Sequence, residues 1–162
     1  MSEPTILHPA SLKAFERGGG ARTIPLVTQQ VGATQFINGI TEFGPGAKIA
    51  WHSHNSEESV MLLQGSAVFD IGEEHFELEV HDTTFIPPGV PHRFRNRSET
   101  EGMKILWIYG RVDATRTLVE TGETGPVAAE HNNSYPCNAP RGRPHISPGH
   151  HLPARPAANA RH

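Results

Sequence analysis

Between residues 21 and 110, apolar and polar residues alternate in short runs broken by glycine, proline or charged residues. A period of two over four to eight residues is the signature of a half-buried β-strand. The pattern predicts strands over 24–30, 34–43, 47–51, 59–64, 67–71, 75–80, 84–86, 92–96 and 103–109. Turn residues separate them: Gly44, Pro45 and Gly46; Gly65 and Ser66; Gly72; Pro87, Pro88 and Gly89; Gly102. One short helix is expected around 9–17, with Ser11 as its cap. Many short strands at close spacing predict an all-β antiparallel sandwich or barrel.

The pattern divides the chain into an N-terminal arm (1–20), a barrel (21–110), a strand extension or subunit contact (111–125) and a tail (126–162). The tail holds seven of the 14 prolines and five of the 11 histidines, so it cannot build a core and is expected to be disordered or to lie on a surface. Its histidines (His131, His145, His150, His151 and His162) have no regular ligand spacing and read as tail composition.

Composition narrows the function. The chain has 162 residues, enough to bury a core without staples, and its single cysteine, Cys137, permits no intrachain disulfide. That usage and the absence of a signal-like or membrane-spanning apolar stretch lead to an expected cytoplasmic, non-membrane protein. A formal charge of −3 offers nothing to draw nucleic acid, and Arg93, Arg95 and Arg97 read as a solvated strand edge.

The candidate chemistry lies in two stretches. His52 and His54 are two apart, so on a strand both leave one face; parity adds Glu58, Val60 and Leu62 if the strand resumes after a turn. Buried unpaired, such groups would each cost several kcal/mol, roughly 2–7. A metal ion removes that cost; a wet rim with Glu58 or Glu57 paired to an arginine is the alternative. In the second stretch, Pro87, Pro88, Gly89 and Pro91 restrict the backbone ahead of His92, whose inward parity is shared by Phe94 and Asn96. Gln64 also has inward parity and is a candidate hydrogen-bond donor.

These two stretches resemble the two signature motifs of the cupin superfamily. Gly46, His52, His54, Glu58 and Gly65 fill the first, whose three-residue spacer selects Glu58 over Glu57. Pro87, Gly89, His92 and Asn96 fill the second, but His81 stands at its leading glycine. The resemblance covers about residues 25–110 and implies a single-domain double-stranded β-helix, or jelly-roll, barrel. It also implies one divalent metal ion held by His52, His54, Glu58 and His92, the same four residues being the candidate catalytic set, and a homodimer.

Three neutral imidazoles, one carboxylate and a divalent ion carry a net charge near +1, which suits an anionic or chelating small molecule such as an enolate or catecholate. Fe(II) is the first expectation, with Mn, Ni and Zn compatible with the same donors. Because Val60, Leu62 and Phe94 share parity with the ligands, the cavity reads as apolar, and the sequence reading favours a dioxygenase acting on an aromatic or enolisable molecule. A non-redox polyketide cyclase, isomerase or decarboxylase is the alternative, followed by a non-catalytic ligand-binding barrel.

Overall fold

A computed structural model describes residues 3–131. The tail histidines beyond His131, and Cys137, lie outside the described residues. Among those described, the strands are β1 (Phe15–Gly18), β2 (Ala21–Pro25), β3 (Ile37–Phe43), β4 (His52–His54), β5 (Glu58–Gln64), β6 (Ala67–Ile71), β7 (Glu74–Leu78), β8 (Thr83–Ile86), β9 (His92–Asn96), β10 (Met103–Tyr109), β11 (Thr115–Leu118) and β12 (Thr124–Pro126). They form two six-stranded sheets, ordered β1-β2-β3-β10-β5-β8 and β12-β11-β4-β9-β6-β7, with antiparallel pairing throughout. This is an all-β double sheet of the jelly-roll kind.

Strict alternation builds the core. In β3, β9 and β10 every second residue is buried, so Ile37, Phe43, Phe94, Met103, Ile105 and Trp107 meet between the sheets. Val60, Leu62, Ala67 and Phe69 complete that layer with no exposed surface. The indole of Trp107 donates to Thr41 Oγ1 at 3.0 Å, and Thr41 bonds the buried Thr23 hydroxyl at 2.8 Å. A large side chain thereby keeps its polar edge satisfied inside the core. Gly39 makes room for it: a Cβ there would stand 2.3 Å from the Trp107 ring.

Several elements differ from the sequence expectation. The helix expected around 9–17 is a 3₁₀ turn, Pro9–Ser11, followed by β1; Ser11 is not its cap. The strand expected over 24–30 ends at Pro25, although Leu26 N still donates to Asn38 O and Asn38 N to Val27 O, each at 2.9 Å, and Gln29–Val31 forms another 3₁₀ turn. Over 47–51 the backbone pairs only through a bridge between Lys48 and Arg95, because Ala47 and Ile49 bond irregularly to β9. Gln64 is exposed; a register shift between Lys104 and Ile105 carries the end of β5 out of the barrel. Beyond residue 110, β11 pairs with β4, and Val127–His131 forms a 3₁₀ segment anchored by the buried Val127.

His81 keeps the turn that a glycine would make. Its φ is +77°, and no other non-glycine among the described residues has a positive φ. Its N–H donates to Leu62 O at 2.8 Å, and Asp82 Oδ2 accepts from Glu79 N at 2.9 Å. The motif departure is therefore a change of side chain on a retained backbone, at a strain of about 1–3 kcal/mol.

Asn96 closes the far end. Its amide donates to Gly44 O at 2.9 Å and Glu101 O at 2.7 Å, and its oxygen accepts from Ser98 N at 2.9 Å. On the outer face of β6, Asp70 stands in direct register with His75 on β7 and Arg93 on β9. Its carboxylate accepts from Arg93 Nε and Arg95 Nε, each at 2.7 Å, from Arg95 Nη2 at 2.9 Å, and from the His75 ring. Burial alone would raise the Asp70 pKa, but the bonds from Arg95, Arg93 and His75 hold it well below the usual carboxylate range.

Candidate metal centre

Four ligand-type side chains converge at the end of the barrel opposite Asn96. β4 supplies His52 and His54, and β9 begins with His92, which stands opposite His52 in register. Glu58 opens β5 in the other sheet, opposite Tyr109 on β10. All four are buried, between 1 % and 5 % exposed, whereas neighbouring Glu57 faces solvent. One donor atom from each lies within 4.8 Å of the others. The three histidines thus come from one sheet and the carboxylate from the other.

The hydrogen bonds around the rings fix which nitrogen faces inward. His52 Nδ1 meets Ala50 O at 2.7 Å, His54 Nδ1 meets Thr115 O at 2.9 Å, and His92 Nδ1 meets Val90 O at 2.8 Å. A carbonyl oxygen only accepts, so each Nδ1 carries its hydrogen and donates, which in the neutral ring leaves Nε2 with a lone pair. Glu58 Oε2 then lies 2.8 Å from His92 Nε2 and 3.5 Å from His54 Nε2. These three atoms are buried and have no hydrogen-bond partner among the described residues. Acceptors facing acceptors at these distances repel unless a cation stands between them.

The donor set fits a divalent ion. Ligands at 2.0–2.2 Å from one ion stand about 3.0–4.4 Å from each other, so the observed span needs only a slight contraction. Imidazole and carboxylate donors suit zinc, manganese, iron or nickel, and the backbone carbonyls on each Nδ1 supply the outer bonds that orient metal-ligating histidines. The cluster is able to coordinate one divalent metal ion.

Burial, then the neighbouring His92, Arg116 and His54, push the His52 pKa well below its ordinary value. Burial also lowers His54, with the Glu58 carboxylate acting in the opposite direction. Both rings are therefore held as neutral ligands. A histidine with a lowered folded pKa stabilises the fold at pH values above its unfolded pKa of about 6.5, and the contribution falls as the pH drops towards the folded value. Metal-free protein is expected to lose up to about 1.4 kcal/mol per pH unit for each of these histidines on acidification below about pH 6.5, as urea denaturation across that range would show. Metal-loaded protein should resist the same titration until the ion dissociates.

The surroundings of the cluster are less apolar than the sequence suggests. Val60, Leu62 and Phe94 are fully buried filling beneath the ligands. Beside the ligands stand groups that sequence reasoning missed. The Tyr109 ring packs on His54 at 4.5 Å between centroids, and burial, reinforced by Glu58 and Glu130, raises its phenol pKa well above the ordinary value. Arg116 on β11 is in register with His54, which places both side chains on one face. Parity within 111–125 could have placed Arg116 and Leu118 on one face; nothing in the sequence pairs that strand with β4. A groove of about 300 Å³ that Lys48, Arg93, Arg95 and Arg97 help to line lies elsewhere and contains none of the four ligands.

Comparison with known proteins agrees with this architecture. The sequence profile of the cupin domain matches residues 39–109. The chain is 30% identical over 122 residues to the polyketide synthase CurC of Streptomyces cyaneus, covering 75% of this chain and 78% of that protein. It is 30% identical over 100 residues to the tetracenomycin polyketide synthase protein TcmJ of Streptomyces glaucescens, covering 61% of this chain and 67% of that protein. Among solved structures it resembles the polyketide cyclase RemF of Streptomyces resistomycificus, with a TM-score of 0.63 and 21% identity over 77% of this chain and 86% of that one. At that identity the last likeness speaks for the fold.

Proposed function

Since this chain belongs to the cupin family, we propose that it is a metal-dependent, non-redox enzyme that promotes ring closure of an enolisable polyketide-type substrate. The observation that carries the reading is the buried set of facing lone pairs on Glu58, His54 and His92, completed by His52. Relatives named for polyketide assembly favour cyclase chemistry over the dioxygenase expected from sequence. That expectation leaned on an apolar cavity, and the residues behind it are core filling rather than substrate walls.

His52, His54, Glu58 and His92 would hold the ion, which supplies Lewis acidity that favours the enolate over the ketone. The chain does the rest. Backbone carbonyls keep the three imidazoles in one tautomer, so no ligand has to reorient. The raised pKa of Tyr109, whose ring packs on His54, keeps its phenol protonated, and in this reading it donates to a developing oxyanion. With metal, the centre carries a net +1 charge, which favours the enolate over a neutral ketone. The homodimer belongs to the same proposal: Phe85 on edge strand β8 and Phe76 on edge strand β7 are 65% and 40% exposed, apolar surface that a second copy would cover. Among the described residues no helix is long and apolar enough to cross a membrane.

The test is an anaerobic incubation of zinc- or manganese-loaded protein with a synthetic aromatic poly-β-ketone thioester mimic, following cyclised product by chromatography. Product should form without dioxygen. Turnover that needs Fe(II) and consumes dioxygen at an oxygen electrode would restore the dioxygenase reading.

A further inference from the structure

One cluster of buried charges plays no part in holding the metal. Glu130, on the Val127–His131 segment, joins two arginines from opposite sheets. Its Oε1 accepts from Arg116 Nη1 at 2.7 Å, and its Oε2 pairs with Arg17 Nη2 at 2.9 Å. All three side chains are largely buried, at 15%, 11% and 21% exposure for Arg116, Arg17 and Glu130. Arg17 Nη1 also donates to Thr23 Oγ1 at 3.3 Å. Arg116 Nε is buried with no partner among the described residues.

We propose that Arg17 and Arg116 form an anion subsite beside the metal centre, which takes a carboxylate of the substrate in place of Glu130. The proposal deepens the reading of the centre as a substrate-binding site and rests on it.

Three observations support it. The first is position. Arg116 stands opposite His54 on the same face of the sheet, and its charge acts on His52 while that of Glu130 acts on His54. A molecule held at the centre would reach the arginines with a second group. The second is charge. Two guanidinium groups face one carboxylate, an excess of one positive charge in a poorly solvated space. Added to the net charge of a loaded centre, this excess suits a ligand with two anionic groups, an enolate at the metal and a carboxylate at the arginines. The third is incompleteness. Arg116 gives one N–H to Glu130 Oε1 while Arg17 is only ion-paired with Oε2, and Arg116 keeps a buried N–H unused, although the guanidinium fork can make paired bonds to a carboxylate. A planar carboxylate that entered at a better angle could engage both N–H groups of Arg116.

Glu130 is suited to be displaced. It sits on a five-residue segment at the edge of the two sheets, whose other anchor is the buried Val127, with its N–H donating to Ala114 O at 2.9 Å. A turn on that anchor would lift the carboxylate without disturbing a ladder of strand bonds.

The test uses two fluorescent probes, 1-hydroxy-2-naphthoate and 1-naphthol, which differ by one carboxylate. Each is titrated into full-length protein, metal-free and zinc-loaded, for wild type, Glu130→Gln, Arg116→Met and Arg17→Met. Glu130→Gln keeps the shape of the internal occupant and removes its charge, so it should bind the naphthoate about tenfold more tightly, with 1-naphthol unchanged. Arg116→Met should erase the preference for the naphthoate in metal-free protein, where the hydroxy-carboxylate has no ion to chelate. If the arginine variants do not fold, Glu130→Gln decides alone: unchanged or weaker naphthoate binding would mean that the cluster is a fixed strut, and the subsite would be wrong. A carboxylate preference in metal-free protein that zinc does not strengthen would retain the subsite and overturn the metal-centred function.

Discussion

Glu58→Gln is expected to weaken zinc binding by roughly 100- to 1,000-fold, about one ligand's share of a structural zinc site's binding free energy. The same substitution should stabilise the metal-free protein by about 1 kcal/mol. Opposite signs follow from one geometry. Without a cation, and at a pH where the His92 ring is neutral, Glu58 Oε2 faces the His92 Nε2 lone pair at 2.8 Å, and both atoms are acceptors. A glutamine amide offers an N–H in that direction and turns the repulsion into a hydrogen bond. With a cation the carboxylate supplies charge that the amide lacks. His92→Ala should lose metal affinity to a similar degree without the gain in stability, because it leaves a cavity beside a buried carboxylate. Zinc titration by calorimetry and thermal melting with and without chelator measure both quantities. Wild-type affinity in Glu58→Gln would mean that the four side chains do not share an ion.

The second large effect lies outside the barrel. Asp70→Asn should cost about 3 kcal/mol, the lower end of what breaking a buried ion pair costs, since Arg93 and Arg95 are partly exposed. The carboxylate has no exposed surface and holds two guanidinium groups and one imidazole across β6, β7 and β9. Losing its charge leaves both arginines without a counter-ion on one face. The pH dependence has a definite sign. A carboxyl with a lowered folded pKa stabilises the fold above its unfolded pKa of about 3.9, and that contribution is lost as the pH falls further. Acid denaturation of wild type should therefore show a loss below about pH 4 that the Asn variant lacks. Urea denaturation at pH 7 and pH 3 reads both effects, and equal sensitivity of the two proteins would remove Asp70 from the account.

The sequence made the centre legible because its ligands fall in two compact stretches with strand parity. His52 and His54 share a face by a spacing of two, and the prolines before His92 set its approach. The barrel was legible for the same reason: alternation survives in β3, β9 and β10 because one side of each strand meets the core. What escaped depends on pairing between distant segments. Arg116 reaches His54 only because β11 joins β4, Arg17 and Arg116 meet at Glu130 from opposite sheets, and Asp70 is buried by arginines more than 20 residues away. Alternation is silent on strand order, so none of these meetings can be read from it. The apolar cavity failed for a related reason, since parity tells inward from outward but not deep from shallow.

Because Glu58 belongs to one layer and the three histidines to the other, an ion held by all four would act as a rivet through both. Its occupancy would set how far the layers breathe at that end of the barrel. Under the proposed function, metal uptake and substrate access would then be opposed in rate though allied in purpose: the cation that would draw an anion in would also narrow the motion that admits it.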